Sequence, residues 1–236
     1  MKHTPPTLTP RLSAAAQMIG KCHCFADIGT DHAYLPIYLI MNGFCKKAIA
    51  SDIGNGPLKR ASDTALKYHQ NISLRLGAGL DTLLPDEADA VAVAGMGGLL
   101  IAEILKAGMD KLGSAKKIVL QPMTAIPELR EYLTENGWKI TDERIAKEGD
   151  KLYVLMSVRP PKSQAIDAVE SPYNELELYL GRCLINKRPM YFDELLSHSR
   201  RKLCNMVNGL KSSHSAESEA KLEYCRHLIQ EIDKLK

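Results

Sequence analysis

The stretch FADIGTDHAYLP, Phe25 to Pro36, sets Asp27 and Asp31 on either side of a single glycine, Gly29, and follows them with His32. An apolar strand that runs into a Gly-containing turn and then a helix usually cradles a nucleotide. Free amides at the turn and at the helix amino terminus favour phosphate there. Two carboxylates in such a turn repel a pyrophosphate at short range. They suit a ligand carrying positive charge, and S-adenosylmethionine, with an ammonium and a sulfonium and no phosphate, is one. On this reading Asp27 and Gly29 contact the cofactor. Asp31 lies past the turn on the substrate side and is the first candidate to stabilise or deprotonate an alkylated base. His32 could contact cofactor or base, or be a satisfied structural group. Tyr34 either stacks on a ring or packs against the sheet.

The later turns extend the pattern. Asp52, followed by Ile53, ends the apolar run IASD 25 residues after Asp27, where an acid can accept hydrogen bonds from both ribose hydroxyls. The competing reading is that both aspartates only cap the helices that follow. In RLGAGLDTL, Ala78 stands where class I methyltransferases commonly place an acid facing the adenine amino group. That leaves the backbone of Gly79 and Leu80, or Asp81, for this contact. The fourth turn, Gly95-Met96-Gly97-Gly98, has no side-chain clamp, but its open space and free amides let a flat ring approach.

These turns need a scaffold, and the pattern supplies one. LSAAAQMI (12–19) reads as a leading helix, and HCFAD (23–27), KAIASD (47–52), ISLRL (72–76), DAVAVAG (89–95) and KKIVLQ (116–121) read as strands. Helical patterns intervene near 33–41, from Pro57 toward Gln70, over 99–108, and over PELREYLTEN from Pro127. WKITDERIAKEGDKLYVLMSVR reads as two strands around Glu148-Gly149-Asp150. Strand–helix alternation predicts an α/β fold: a mostly parallel seven-stranded sheet with a terminal antiparallel hairpin, binding ligands at the carboxyl ends of its strands.

The polar, proline-bearing run RPPKSQAIDAVESP (159–172) reads as a linker, so the expected domains are 1–160 and a small all-α extension, 161–236. YNELELYLGRCLINKR reads as one helix stopped by Pro189. Positions 192, 196, 199, 203, 206 and 210, then Leu222, Cys225, Ile229 and Ile232, follow heptad-like spacing. They predict an antiparallel, coiled-coil-like hairpin with arms on the order of 30 Å. It could project as an arm or pack as a lid.

Composition sets outer bounds. At 236 residues, 45% hydrophobic and 25% charged, the chain is globular, and its formal charge of +3 permits a nucleic-acid partner without requiring one. No run is long enough to span a bilayer, and the amino terminus lacks a secretory signal, which together point to the cytoplasm. The six cysteines form no zinc spacing, so no metal is expected, and no oligomer is implied.

DIGTDHAYLP, SDIGNGPL, RLGAGL, AGMGG followed by LIAEIL, and LQP at 120–122, in this order, resemble the bacterial tRNA (adenine-22-N1)-methyltransferase family, TrmK. EGDKLYVLM and the helical extension carry the resemblance over nearly the whole chain. It implies a class I, Rossmann-like methyltransferase fold and methyl transfer from S-adenosylmethionine to N1 of an adenine in the tRNA D-arm. It also implies a tRNA-holding role for the carboxy-terminal helices. The resulting cofactor set is Asp27, Gly29, Tyr34, Asp52, Ile53, Gly79, Leu80, Gly95 and Met96. The substrate set is Gly97, Gln121, Lys187, Arg188, Arg200, Arg201 and Lys202, and the catalytic pair is Asp31 and His32. The sequence departs from the family pattern at Ala78 and at Met123, where an asparagine would be expected. Two other functions share these features: methylation of a small molecule or protein, and a non-catalytic RNA-binding adaptor.

Overall fold

The computed structural model describes residues 4–113, 115–161, 171–210 and 215–236. The chain divides into two compact units, Met1–Asp167 and Ala168–Lys236. The first contains strands β1 (Cys24–Ile28), β2 (Lys47–Asp52), β3 (Ser73–Leu76), β4 (Ala90–Gly97), β5 (Lys117–Thr124), β6 (Lys139–Glu148) and β7 (Lys151–Arg159). Its helices are α1 (Pro10–Ile19), α2 (Tyr34–Met41), α3 (Asn55–Lys67), α4 (Gly98–Ala107) and α5 (Ile126–Glu135).

The strands form one sheet in the order β3-β2-β1-β4-β5-β7-β6. Strands β1 to β5 pair in parallel, and β7 runs antiparallel to both β5 and β6. The order reverses at β1, with β2 on one side and β4 on the other. Because crossovers are right-handed, this reversal sends α2 and α3 to one face and α4 to the opposite face. A crevice is left between the carboxyl ends of β1 and β4. Strand alternation divides the core accordingly. Phe25, Ala90, Ala92 and Val119 join the cluster of Ile19, Leu35, Ile37, Leu39, Ala61 and Ala65 from α1 to α3. Ala26, Ile28, Val91, Val93, Ile118 and Leu120 are equally buried but belong to the other face.

Strands β4 and β5 run further than their apolar stretches. Met96 pairs with Pro122 and Gly97 with Thr124, with register shifts at Ala94/Met96 and Met96/Gly97. Glycine and proline read as breakers, yet a bulged ladder accommodates both. The fourth glycine is a true close approach: a Cβ on Gly98 would lie 2.1 Å from the carbonyl oxygen of Ala125 and 2.9 Å from that of Thr124. Backbone on both sides has little room to yield. Gly98→Ala is therefore expected to cost about 2–3 kcal/mol, read as a lower urea midpoint. An unmoved midpoint would show that the β5–α5 turn gives way.

The second unit holds α6 (Glu175–Leu180), α7 (Arg182–Lys187), α8 (Phe192–Leu210) and α9 (Ala216–Lys234). The single helix expected before Pro189 is two, because Gly181 adopts φ 106° and ψ 120°, a conformation open to glycine, and breaks the ladder. Asn174 caps α6 through a reciprocal capping box with Glu177. Helices α8 and α9 pair antiparallel, since Arg200 in the first half of α8 bonds Asp233 near the end of α9. Their seam buries Phe192, Leu196, Ser199 and Leu203 against Cys225, Leu228 and Ile232, so Leu228, not Ile229, is the core position on α9. Among the described residues, no helix is long and apolar enough to cross a membrane. Likewise, no cluster of three or more His, Cys, Asp or Glu is placed to hold a metal ion.

Candidate functional site

The turn after β1 is fixed from two sides. The amides of Gly29 and Thr30 both donate to the carbonyl of Ser51 on β2, each at 2.8 Å. Thr30 Oγ1 accepts the Ala33 amide at 3.1 Å, steering the chain through a left-handed Ala33 (φ 53°) into α2. Gly29 has φ +79°, and a Cβ there would fall 1.9 Å from Met96 Cε. The first and fourth turns therefore meet, and the left-handed backbone at Gly29 favours glycine there.

A cavity of about 450 Å³ opens at this junction. Of the sequence-derived candidates it brings together Asp27, Gly29, Asp31, His32, Tyr34 and Gly95, and it adds Arg11, Thr30, Ala94 and Met123. Burial is the main influence on Asp27 and pushes its carboxyl up to about 6; the Thr30 hydrogen bond opposes the rise and the nearby Asp52 charge adds to it. Asp31 sits at the exposed mouth. Its Oδ1 accepts from Arg60 Nε at 2.8 Å and also from Arg60 Nη2, and its Oδ2 lies 3.2 Å from His32 Nε2. The His32 ring stacks on Tyr34 with centroids 5.4 Å apart.

The remaining candidates lie outside this lining. Asp52 ends β2, and its Oδ1 accepts the Gly54 amide at 2.8 Å, so it does shape its own turn. Ile53 beside it is 76% exposed, an unusual position for isoleucine and suited to covering a flat ring. Gly79 and Leu80 begin a 3-10 turn (Gly79–Thr82) after an exposed Ala78. The Leu80 side chain is buried against Gly108, which leaves only its backbone for a ligand. Met96 and Gly97 belong to the end of β4.

Gln121 differs from expectation. It is fully buried, and its Oε1 accepts from Arg11 Nη1 at 2.7 Å and from the Gly95 amide at 3.2 Å. Its Nε2 donates to the Pro122 carbonyl at 2.9 Å. A side chain satisfied in this way braces Arg11 and the Gly95 turn. Sequence reasoning missed Arg11 and Arg60. Each is a single arginine on an ordinary helix, and no spacing marks it; only the tertiary contact does.

In the helical unit, Arg200 is held by Asp233 through two bonds of 2.8 and 3.0 Å. Arg188 donates to the Leu235 carbonyl at 2.6 Å and lies over the Phe192 ring. Both therefore support the bundle. Lys187 closes α7. Arg201 and Lys202 are exposed and share a shallow hollow on α8 with His198, Asn205 and Met206.

A reversed, mostly parallel sheet with an antiparallel seventh strand, and an acid-lined, glycine-floored cavity at its switch point, define a Rossmann-like methyltransferase of class I. A family model for tRNA (adenine(22)-N(1))-methyltransferase, TrmK, matches residues 25–234. The chain belongs to this family. It is 40% identical over 165 residues to the tRNA (adenine(22)-N(1))-methyltransferase of Bacillus subtilis, covering 69% of each protein. The crystal structure of the B. subtilis M1A22 tRNA methyltransferase TrmK superposes with a TM-score of 0.83 at 30% identity, covering 97% of this chain and 98% of that one. M. capricolum TrmK, solved with the cofactor product S-adenosylhomocysteine, gives 0.76 at 27% identity over 98% and 100% of the two chains.

Proposed function

We infer that this chain transfers the methyl group of S-adenosylmethionine to N1 of adenine 22 in tRNA. The observation that carries the inference is the cavity beside Gly29 and Gly95, where a buried aspartate faces the space a pyrophosphate would need. Bound there, the cationic cofactor gains a counter-charge at Asp27, and its ribose lies toward Asp52. Ile53 and the backbone of Gly79 and Leu80 would flank its adenine. Transfer is an in-line displacement at the sulfonium carbon, so positioning and exclusion of water supply most of the catalysis. Adenine N1 lies on the Watson–Crick edge, so the base must leave its pair and stack, at a cost of a few kcal/mol. The swung-out ring can slide over Gly95 and Gly97 with Tyr34 and His32 at its side. Positive charge then develops on the ring within reach of the Asp31 carboxylate. The substrate places the reaction in the cytoplasm, and the helical unit is assigned to holding the tRNA.

Incubation with methyl-labelled S-adenosylmethionine and total bacterial tRNA should label tRNA and create a reverse-transcription stop at position 22. Label in protein or small molecules, with no such stop, would refute the inference. On the helical unit, Arg201 and Lys202 are the cations expected to meet phosphate. Converting both to glutamate should raise the tRNA KM about tenfold and lower the salt slope by about two. An unchanged slope would assign them to solvent. The ion-paired Arg200 should contribute less.

A further inference from the structure

At the end of the sheet away from the cavity, the entries to β1 and β2 bring two cysteines side by side. Cys22 precedes β1 and its amide donates to the Phe44 carbonyl at 2.8 Å, while the Lys47 amide donates to the His23 carbonyl at 3.0 Å. The parallel ladder therefore runs back beyond the Cys24–Lys47 pair and sets Cys22 opposite Cys45. Neighbouring strands stand about 4.8 Å apart, within the roughly 4.4–6.8 Å Cα separation that a disulfide spans. Both backbones are fixed in this register. Asp89 Oδ1 accepts the amides of His23 and Cys24, at 3.0 and 2.6 Å. The Leu39 carbonyl, near the end of α2, accepts those of Phe44 and Cys45, at 2.8 and 3.3 Å. Both thiols are free, Cys45 buried and Cys22 partly exposed, and Cys45 donates a hydrogen bond to the Cys22 sulfur.

We propose that Cys22 and Cys45 are a modification site, a thiol pair that a small-molecule disulfide oxidises to a protein disulfide, locking β1 to β2 while the cavity stays open. The Cys22 thiol is held below its ordinary range, chiefly by the bond from Cys45 and further by the Lys117 ammonium, against burial and the Asp89 charge. Lys117 is itself pinned there, donating to the Lys21 carbonyl at 3.3 Å. The Cys22 thiolate attacks one sulfur of the small disulfide and expels a thiolate, which takes the proton of Cys45. Cys45 then attacks the Cys22 sulfur and expels the second thiolate, which takes up from solvent the proton that Cys22 had lost. Two electrons pass from the protein thiols to the small disulfide. The bridge encloses residues 22–45, the segment that carries Asp27, Asp31, His32 and α2. Closing that loop narrows the unfolded ensemble and leaves the native register as it stands. Cys24 is the competing thiol, but it stands opposite Lys47 and burial pushes it up.

After incubation with oxidised glutathione, the wild-type chain should lose the mass of two hydrogens and yield a cross-linked Cys22–Cys45 peptide on proteolysis. Its melting temperature should rise by about 5 °C and fall back on addition of dithiothreitol. Affinity for S-adenosylhomocysteine should differ by less than twofold between the reduced and bridged forms, since the bridge lies at the amino ends of the strands and the cavity at their carboxyl ends. Cys45→Ser should stop the reaction at the mixed disulfide, with one glutathione on Cys22 and no rise in melting temperature. Cys22→Ser should leave the buried Cys45 unmodified. The proposal is overturned if the wild-type chain keeps glutathione on Cys22 without a cross-link, or if the link joins Cys24. It is also overturned if the bridged chain melts below the reduced one or binds S-adenosylhomocysteine more weakly, since either result would mean that the bridge distorts the first turn.

Discussion

Affinity for S-adenosylhomocysteine is expected to hold steady above pH 6 and to fall about tenfold for each pH unit below it, because the ligand's ammonium needs Asp27 ionised. Burial raises this carboxyl to about 6 in the empty protein. A cation placed beside it favours the ionised form, so ligand and proton compete for one site. Asp27→Asn keeps the shape and removes the charge; it should weaken binding about 10- to 100-fold at pH 8 and flatten the profile. The same group makes a second, opposite demand on the unliganded fold. Its folded pKa is raised, so the stability it contributes is fully present below pH 3.8 and is lost as pH climbs through about 6. The loss amounts to about 3 kcal/mol for a shift of this size. Unliganded Asp27→Asn should therefore be more stable than the wild type at pH 8, the reverse of what an aspartate serving only as a helix cap would give. A variant that is less stable, or that binds with the same pH profile, would remove Asp27 from the ammonium site.

That opposition is what makes Asp27 stand out in the sequence. A carboxylate at the end of a fully apolar strand is costly in the empty fold, and such a cost points to a ligand. Asp52 and the glycines of the fourth turn stand out for a related reason, since each is an unusual residue at the carboxyl end of an apolar strand, whereas the exposure of Ile53 is visible only in the fold. The mostly parallel sheet with its terminal antiparallel hairpin followed from strand–helix alternation, whereas the strand order is visible only in the fold. What could not be read were contacts made by residues that break no rule. Arg11 opens an unremarkable amphipathic helix, and its meeting with Gln121 spans 110 residues of chain. Gln121 entered the substrate set through the family resemblance, and only the fold shows it fully buried and turned toward Arg11 and the Gly95 amide. Gly181 was read as one residue inside a helix, where a glycine is tolerated, and only its backbone angles reveal the break. The extension of β4 and β5 through glycine and proline belongs to the same group: a bulge is a property of two paired strands, and neither sequence shows it alone.

Asp31→Asn is expected to leave cofactor binding within threefold and the melting temperature within about 2 °C, while cutting the rate of methyl transfer about 100- to 1,000-fold. The side chain lies at the cavity mouth and contributes no core packing. Arg60 on one oxygen and His32 on the other fix its plane before substrate arrives, so little reorganisation is needed when charge develops. Adenine is neutral on entering and cationic once N1 is methylated, so a fixed carboxylate stabilises the transition state more than the ground state. Its removal must then appear in kcat, with KM for tRNA nearly unchanged. Arg60→Ala separates orientation from charge: the carboxylate survives but loses its clamp, and the rate should fall between the two extremes. If Asp31→Asn turns over like the wild type, or if its whole defect lies in KM, the carboxylate serves only to hold Arg60 and His32, and the charge on the alkylated ring must be met elsewhere.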